Sequence, residues 1–154
     1  SKGSFYHYFD GKDALLSTLS SLFDEKYEEL TGLLTPEMTA MEQLLFLNRE
    51  LFHMIEDSIS LDLLARLYST QLTTNGEKHL LDHNRIYYKL LRKIIAKGQD
   101  DGQLSCRSNV NEMVKLYALC ERALLYDWCL CAGEYSLTEY SAKVLPGFLS
   151  SFLP

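Results

Sequence analysis

The chain has 154 residues, of which 47% are hydrophobic and 23% charged, and its formal net charge is −6 at pH 7. A chain of this length buries on the order of 70% of the surface that it exposes when unfolded, so one hydrophobic core holds it without metals or disulfides. The acidic balance excludes a protein whose whole surface lies on nucleic acid, the absence of any apolar run of roughly 20 residues excludes a membrane span, and the lack of a visible leader pattern predicts a cytoplasmic location.

The first element is an aromatic segment, Phe-Tyr-His-Tyr-Phe, at residues 5–9. On a short helix its two phenylalanines, four residues apart, share one side and leave the three rings between them facing outward. Lys2 and Lys12 flank the segment and add positive charge. Polar-tipped aromatic rings beside lysines suit phosphate oxygens and base edges. By itself the pattern also fits an aromatic cluster in a core, so both interpretations stay open.

The rest of the chain repeats its apolar residues with a helical period, and no alternating strand pattern occurs. Helices are predicted, in chain order, from a cap at Asp10–Asp13 to about Gly32, from Thr35 and Pro36 onward, over residues 61–71, 78–97 and 110–131, and from a capping box at residues 136–139. Gly98 is expected to stop the fourth of these. The sequence therefore predicts an all-helical bundle.

The last two predicted helices carry more apolar surface than one core requires. Residues 113–131 are apolar nearly all round, and such a helix must be covered on more than one side. We predict a two-fold symmetric homodimer in which each subunit contributes two helices to a four-helix interface. Burial of both helices within a monomer is the alternative. The candidate interface residues are Leu124, Leu137, Tyr140, Val144, Phe148 and Phe152.

The opening sixteen residues, Ser-Lys-Gly-Ser-Phe-Tyr-His-Tyr-Phe-Asp-Gly-Lys-Asp-Ala-Leu-Leu, resemble the signature of the TetR/AcrR family of transcriptional regulators. That signature is a short recognition helix with a Tyr-Phe pattern, followed by Lys-acid-x-Leu at the start of helix four. A weaker resemblance extends over residues 98–104, Trp128, Gly133 and residues 136–139. The rest of the chain is similar to the family only in its helical pattern.

The resemblance implies a homodimeric repressor that binds a palindromic operator and is released when a small-molecule effector enters its body. Residues 1–16 would be the last part of the helix-turn-helix DNA-binding domain, and residues 17–154 the effector-binding and dimerisation domain. The family's first two helices would precede Ser1, so the chain by itself is expected to bind DNA poorly. The residues that the resemblance places against DNA are Lys2, Ser4 and His7 at base edges, Tyr6, Tyr8 and Lys12 at phosphates, and Gly3 where the backbone approaches closely.

The resemblance also implies an effector cavity among the helices of residues 12–131. Candidate lining residues are bulky or polar-tipped side chains on otherwise apolar helices. They are Phe52, His53, Tyr68, Tyr88, Met113, Tyr117, Cys120 and Trp128. Each also fits an ordinary place in the core, but together they predict an aromatic-lined, largely apolar cavity and a hydrophobic or aromatic effector.

An enzyme would need a nucleophile with its base, or a metal cluster, and the sequence shows neither pattern. His79 and His83 have the i, i+4 spacing of metal ligands, with Asp82 beside them. Lys78 and Arg85 crowd the pair, however, and a solvated helix face explains it better. We therefore expect no catalytic residue, metal or cofactor. The alternative function is a helical protein-interaction or small-molecule-binding module that does not bind DNA.

Overall fold

A computed structural model of the chain describes the backbone of residues 2–154 and the side chains of residues 11 and 13–154. Over this range it contains six α-helices and no strand, which confirms the predicted all-helical class. The helices are α1 (Lys2–Thr31), α2 (Ala40–Ser58), α3 (Leu61–Thr73), α4 (Ile86–Asp100), α5 (Val110–Leu130) and α6 (Leu137–Leu149), with short 3-10 turns at His79–Leu81 and Ser150–Phe152. No described helix has the length and apolarity of a membrane span.

The first helix differs from the predicted pattern, since the expected break near Asp10 does not occur and α1 runs unbroken over Lys2–Thr31. A helical glycine costs about 1 kcal/mol relative to alanine but does not end a helix. Gly11 lies in open space, so nothing around it forces a turn.

Helix α2 begins four residues later than predicted, so the expected start at Thr35 and Pro36 is wrong. The Thr39 hydroxyl accepts a hydrogen bond from the Glu42 backbone N–H at 3.1 Å, and the Thr39 N–H donates to the Glu42 carboxylate at 2.7 Å. This reciprocal capping box satisfies two helix-end donors at once. It therefore outcompetes a start at Thr35, where the chain forms a turn instead.

Helix α4 also begins later than predicted, at Ile86 rather than at residue 78. The segment before it is held by side-chain hydrogen bonds from α3 and from α4 itself. The Leu80 N–H donates to the Gln71 side chain at 3.1 Å, and the Leu80 carbonyl accepts from the Tyr88 hydroxyl at 2.6 Å. Because these side chains pair the backbone groups that a helix would use, residues 79–81 form a single 3-10 turn.

At its other end α4 continues through Gly98, which was expected to stop it, and ends at Asp100. Gly98 lies where α4 crosses the start of α2. A β-carbon placed on it would lie 2.6 Å from the Ala40 Cβ and 2.7 Å from the Leu104 side chain. The glycine therefore permits close packing of α4 rather than a turn.

The core forms around α2, which packs against α1, α4 and α6, while α5 packs against α3, α4 and α6. Helices α5 and α6 each have a buried and an exposed apolar side. Three of the predicted interface residues, Leu124, Leu137 and Phe152, are buried inside the protomer, so they offer no surface to a partner. Tyr140 and Phe148 are exposed, and Val144 is half-buried.

Candidate ligand-binding cavity

A cavity lies among helices α1 to α5, and the described residues that line it fall within residues 23–125. Its open interior measures about 60 Å³, and it is partly open to the surface. Most of the wall is apolar or aromatic, and three charged side chains, Arg85, Glu121 and Arg122, join it. The apolar part consists of Phe23, Leu51, Ile55, Leu64, Leu67, Leu80, Ala118 and Leu125, and the tyrosines are Tyr27, Tyr68, Tyr87 and Tyr88.

The carboxyl group of Glu121 is the polar centre of the cavity. It projects from α5 with 4% of the residue exposed. One oxygen accepts a hydrogen bond from the Tyr87 hydroxyl at 2.5 Å, and the other accepts from the Asn48 amide at 2.8 Å. Both partners are uncharged, so Glu121 is hydrogen-bonded on both oxygens without forming an ion pair.

The Glu121 hydrogen bonds continue to α6. The Asn48 side-chain oxygen accepts from the Ser141 hydroxyl at 2.6 Å. The chain Tyr87, Glu121, Asn48, Ser141 therefore joins α4, α5, α2 and α6 through buried polar groups. Buried networks of this kind are stable only when every member is satisfied, and each of these hydrogen bonds fixes the position of the next side chain.

Burial raises the pKa of Glu121, and the hydrogen bonds from Asn48 and Tyr87 oppose that rise without cancelling it. Burial and the neighbouring Glu121 carboxylate also raise the pKa of Tyr87 well above its ordinary value. The pKa of Tyr27 is raised for the same two reasons, and its ring packs against Tyr87 with the centroids 5.1 Å apart. Tyr27 and Tyr87 are therefore uncharged at physiological pH.

Arg122 and Arg85 provide the positive charge of the cavity wall. A terminal nitrogen of Arg122 donates to the Tyr88 hydroxyl at 3.1 Å, and that hydroxyl donates to the Leu80 carbonyl. The guanidinium of Arg85 lies 5.9 Å from the centre of the Tyr87 ring. The Arg85 Nε is buried and has no hydrogen-bond partner among the described groups.

The structure brings two of the eight predicted pocket residues, Tyr68 and Tyr88, into the cavity wall. Tyr68 also borders a shallow apolar groove on the outside, between α3 and α5. Tyr117 lies behind Glu121 and donates its hydroxyl proton to the Leu44 carbonyl at 2.8 Å. Four more, Phe52, Met113, Cys120 and Trp128, are buried outside the wall, whereas His53 is exposed and contacts Asp57 at 3.1 Å.

Sequence reasoning missed Arg85, Glu121 and Arg122 as cavity residues. One signal was present, because Glu121 follows Val114, Tyr117 and Ala118 on the buried side of an apolar helix. A charged residue in a buried stripe needs a partner or a function. No comparable signal marks Arg85, which precedes α4 in a loop whose shape depends on distant residues.

The histidine pair of the loop before α4 is not arranged as metal ligands. A ring nitrogen of His79 lies 2.8 Å from the Ser20 hydroxyl, and His83 stacks on Tyr88 with the centroids 4.5 Å apart. Within the described side chains, no three His, Cys, Asp or Glu residues gather closely enough to hold a metal ion.

The predicted DNA contacts, Lys2, Gly3, Ser4, Tyr6, His7, Tyr8 and Lys12, lie outside the residues whose side chains the structure describes. What the described part offers is a cavity with four kinds of contact: apolar walls, aromatic rings with hydroxyl tips, two guanidinium groups and the Glu121 carboxyl group. Comparison with family models, with curated proteins and with solved structures gives no match to this chain.

Proposed function

We propose that this chain is the effector-binding and dimerising part of a TetR/AcrR-type transcriptional repressor, released from its operator by a small apolar or aromatic molecule. The observation that carries the proposal is the course of α1. This one helix contains the segment that resembles a recognition helix, at residues 2–12, without the break before helix four that the resemblance implies, and it also contributes Phe23 and Tyr27 to the cavity wall.

Because α1 contains both the segment that resembles a recognition helix and part of the cavity wall, it can couple ligand binding to DNA binding. Tyr27 and Lys12 are 15 residues apart, which is about 22 Å along a helix axis. A tilt of about 5° at Tyr27 would therefore move the backbone at Lys12 by roughly 2 Å. Shifts of that size are enough to separate two DNA-contacting segments from successive half-sites.

The size of the cavity explains why a ligand would cause such a tilt. Sites for drug-sized ligands measure about 300 Å³ or more, whereas this interior measures about 60 Å³. A ligand must therefore bind better to a state in which the walls have moved apart. This differential affinity is what shifts the population of two conformations. Phe23 and Tyr27 belong to those walls, so displacement of α1 is one of the movements that would expand the cavity.

The test is a mobility-shift experiment with the complete gene product and the DNA upstream of its own gene. Lys12→Ala should weaken binding to every sequence, because lysine at a phosphate contributes no base preference, and His7→Ala should change the sequence preference. Lys89→Ala, on the exposed side of α4, is the matched control and should bind as the unaltered protein does. Failure of the complete protein to bind DNA at any salt concentration would refute the proposed function as a transcriptional regulator.

A small-molecule-binding module without DNA binding is the second candidate. It is favoured by the fact that, among the side chains that the structure describes, none before Phe23 lines the cavity. Ligand binding together with no DNA binding by the complete protein would support this second candidate.

A further inference from the structure

The charges in the cavity wall do not balance. Two guanidinium groups, Arg85 and Arg122, face one carboxyl group, Glu121. Neither arginine forms a salt bridge with any described side chain. Glu121 already accepts hydrogen bonds from Tyr87 and Asn48 on its two oxygens. The cavity wall therefore has a net positive charge, which is larger when Glu121 is protonated.

One of the two arginines has a buried N–H group that neither water nor any described hydrogen-bond acceptor reaches. The Arg85 Nε is buried and has no partner among the described groups, although buried donors in folded proteins are nearly always paired. Asp24, which acts electrostatically on His79 together with Arg85, also has a buried Oδ1 without a hydrogen-bond partner among the described groups, but it forms no salt bridge with Arg85 and lies outside the cavity wall. The N-terminus of α4, which follows Arg85, is not capped by any described side chain, and its free N–H groups add partial positive charge.

The rest of the cavity wall is apolar and can pack against the apolar part of a bound ligand, here called the guest. Leu64, Leu67 and Leu125 lie on α3 and α5, and Tyr68 stands between them and the outer apolar groove. A guest with a charged end beside the arginines would therefore place its apolar end among leucine side chains. An apolar guest without such an end would leave the buried Arg85 donor unpaired.

We propose that the cavity binds organic monocarboxylates, with the carboxylate held by Arg85 and Arg122 and the hydrocarbon or aromatic part packed against the leucines. This inference rests on the ligand-binding half of the proposed function and names the class of ligand. Guanidinium is the group best matched to a carboxylate, since its N–H donors pair with both oxygens. Glu121 is outnumbered by the two arginines in the described wall, so the positive charges outweigh its repulsion of a second anion.

The experiment is calorimetric titration of the protein with matched guests that differ only in the polar end. Octanoate, octanamide and octylamine form one series, and 3-phenylpropanoate with its amide forms a second that distinguishes aliphatic from aromatic acids. The acid should bind about tenfold or more tightly than its amide, because only the acid forms charge-assisted hydrogen bonds. Arg85→Gln should abolish that preference, and Arg85→Lys should keep part of it.

Arg66→Gln is the matched control, because it removes the same charge from the exposed side of α3 and should leave the preference for the acid unchanged. Equal binding of acid and amide, tighter binding of the amine, or a preference that survives in Arg85→Gln would overturn the inference. If Arg85→Gln does not fold, the comparison of acid and amide on the unaltered protein still decides. Amides that bind while acids do not would refute this inference alone, whereas no binding of any guest would refute the ligand-sensing function as well.

Discussion

Glu121 carries an electrostatic cost, because its carboxyl group lies in the core and burial raises its pKa. A carboxyl group whose pKa is higher in the folded protein binds protons more tightly there than in the unfolded chain. Its contribution to stability is then fully present below the unfolded pKa and is lost as the pH rises from there through the folded pKa. The buried cluster should therefore be most stable in mildly acidic solution.

Glu121→Gln should remove this titration, since glutamine has the same shape and no charge. We expect the free energy of unfolding of the variant to fall less steeply with rising pH above about 4.5, by at most about 1.4 kcal/mol per pH unit. Urea unfolding at a series of pH values measures the difference. His79 titrates with the opposite sign, since burial lowers its pKa, but it is present in both proteins and cancels in the comparison. Glu28→Gln, on the exposed side of α1, is the control, and parallel profiles for Glu121→Gln and the unaltered protein would contradict the prediction.

Gly98 is a second residue at which the surroundings decide how a substitution changes stability. In Gly98→Ala the new β-carbon would meet the Ala40 Cβ at 2.6 Å, and Ala40 has no flexible end that could move aside. We expect a loss of about 1–3 kcal/mol in stability from overpacking, which exceeds the gain of about 1 kcal/mol in helix propensity.

Gly147→Ala is the matched control for that change, because Gly147 lies inside α6 and a β-carbon added to it would meet nothing within 4 Å. It should stabilise the protein by about 0.5–1 kcal/mol. Chemical denaturation of both variants compares the two glycines directly. Equal effects would mean that α4 and α2 separate easily at their crossing.

Among the elements, α6 is fixed to α2 by Glu56. The Glu56 carboxylate accepts hydrogen bonds from the Thr138 backbone N–H and from its hydroxyl, the latter at 2.6 Å, at the N-terminus of α6. Burial alone would raise the pKa of Glu56, but the hydrogen bonds from Thr138 and its neighbours outweigh burial and lower it. This stabilisation is present above the unfolded pKa and is lost as the pH falls through the folded one.

Glu56→Gln should cost about 0.5–1.5 kcal/mol at pH 7, because glutamine keeps an acceptor but loses the charge that faces the helix dipole. At a pH below the folded pKa of Glu56 the two proteins should be equally stable, since the carboxyl group is then protonated. Thermal unfolding at both pH values checks this. A constant difference at all pH values would show that packing, rather than charge, holds α6.

Some local signals in the sequence were found and others were missed. The start of α6 is set by Ser136 and Glu139, three residues apart, and was found, whereas the equally local capping box of Thr39 and Glu42 at the start of α2 was missed. The start of α4 depends on side-chain hydrogen bonds to the loop backbone from Gln71 on α3 and from Tyr88 on α4 itself, and it was missed because helical periodicity does not reveal them. Among the cavity residues, an aromatic residue such as Tyr68 is conspicuous in a helical pattern and could be predicted from the sequence. The burial of Glu121, by contrast, depends on Asn48, 73 residues away.

At the scale of the whole molecule, α5 presents a row of exposed apolar side chains. Leu119, Tyr126 and Leu130 are 50%, 51% and 67% exposed and are spaced by seven and four residues, which places them on one side of the helix. Single exposed leucines are ordinary, but a row on one helix is typical of a protein interface. Tyr140 and Phe148 add exposed rings on α6, which packs against α5.

We expect these two helices to pair two copies of the chain, and Leu119→Glu to shift the protein from dimer to monomer. A two-fold interface repeats every contact, so one substitution places two charges in the same apolar surface. Sedimentation velocity over a range of concentrations measures the change. Leu81→Glu is the matched control, because Leu81 is 51% exposed but lies in the loop before α4; it should remain dimeric. A chain that sediments as a monomer without any substitution would exclude the pairing, and with it the two-fold geometry that a repressor of a palindromic operator requires.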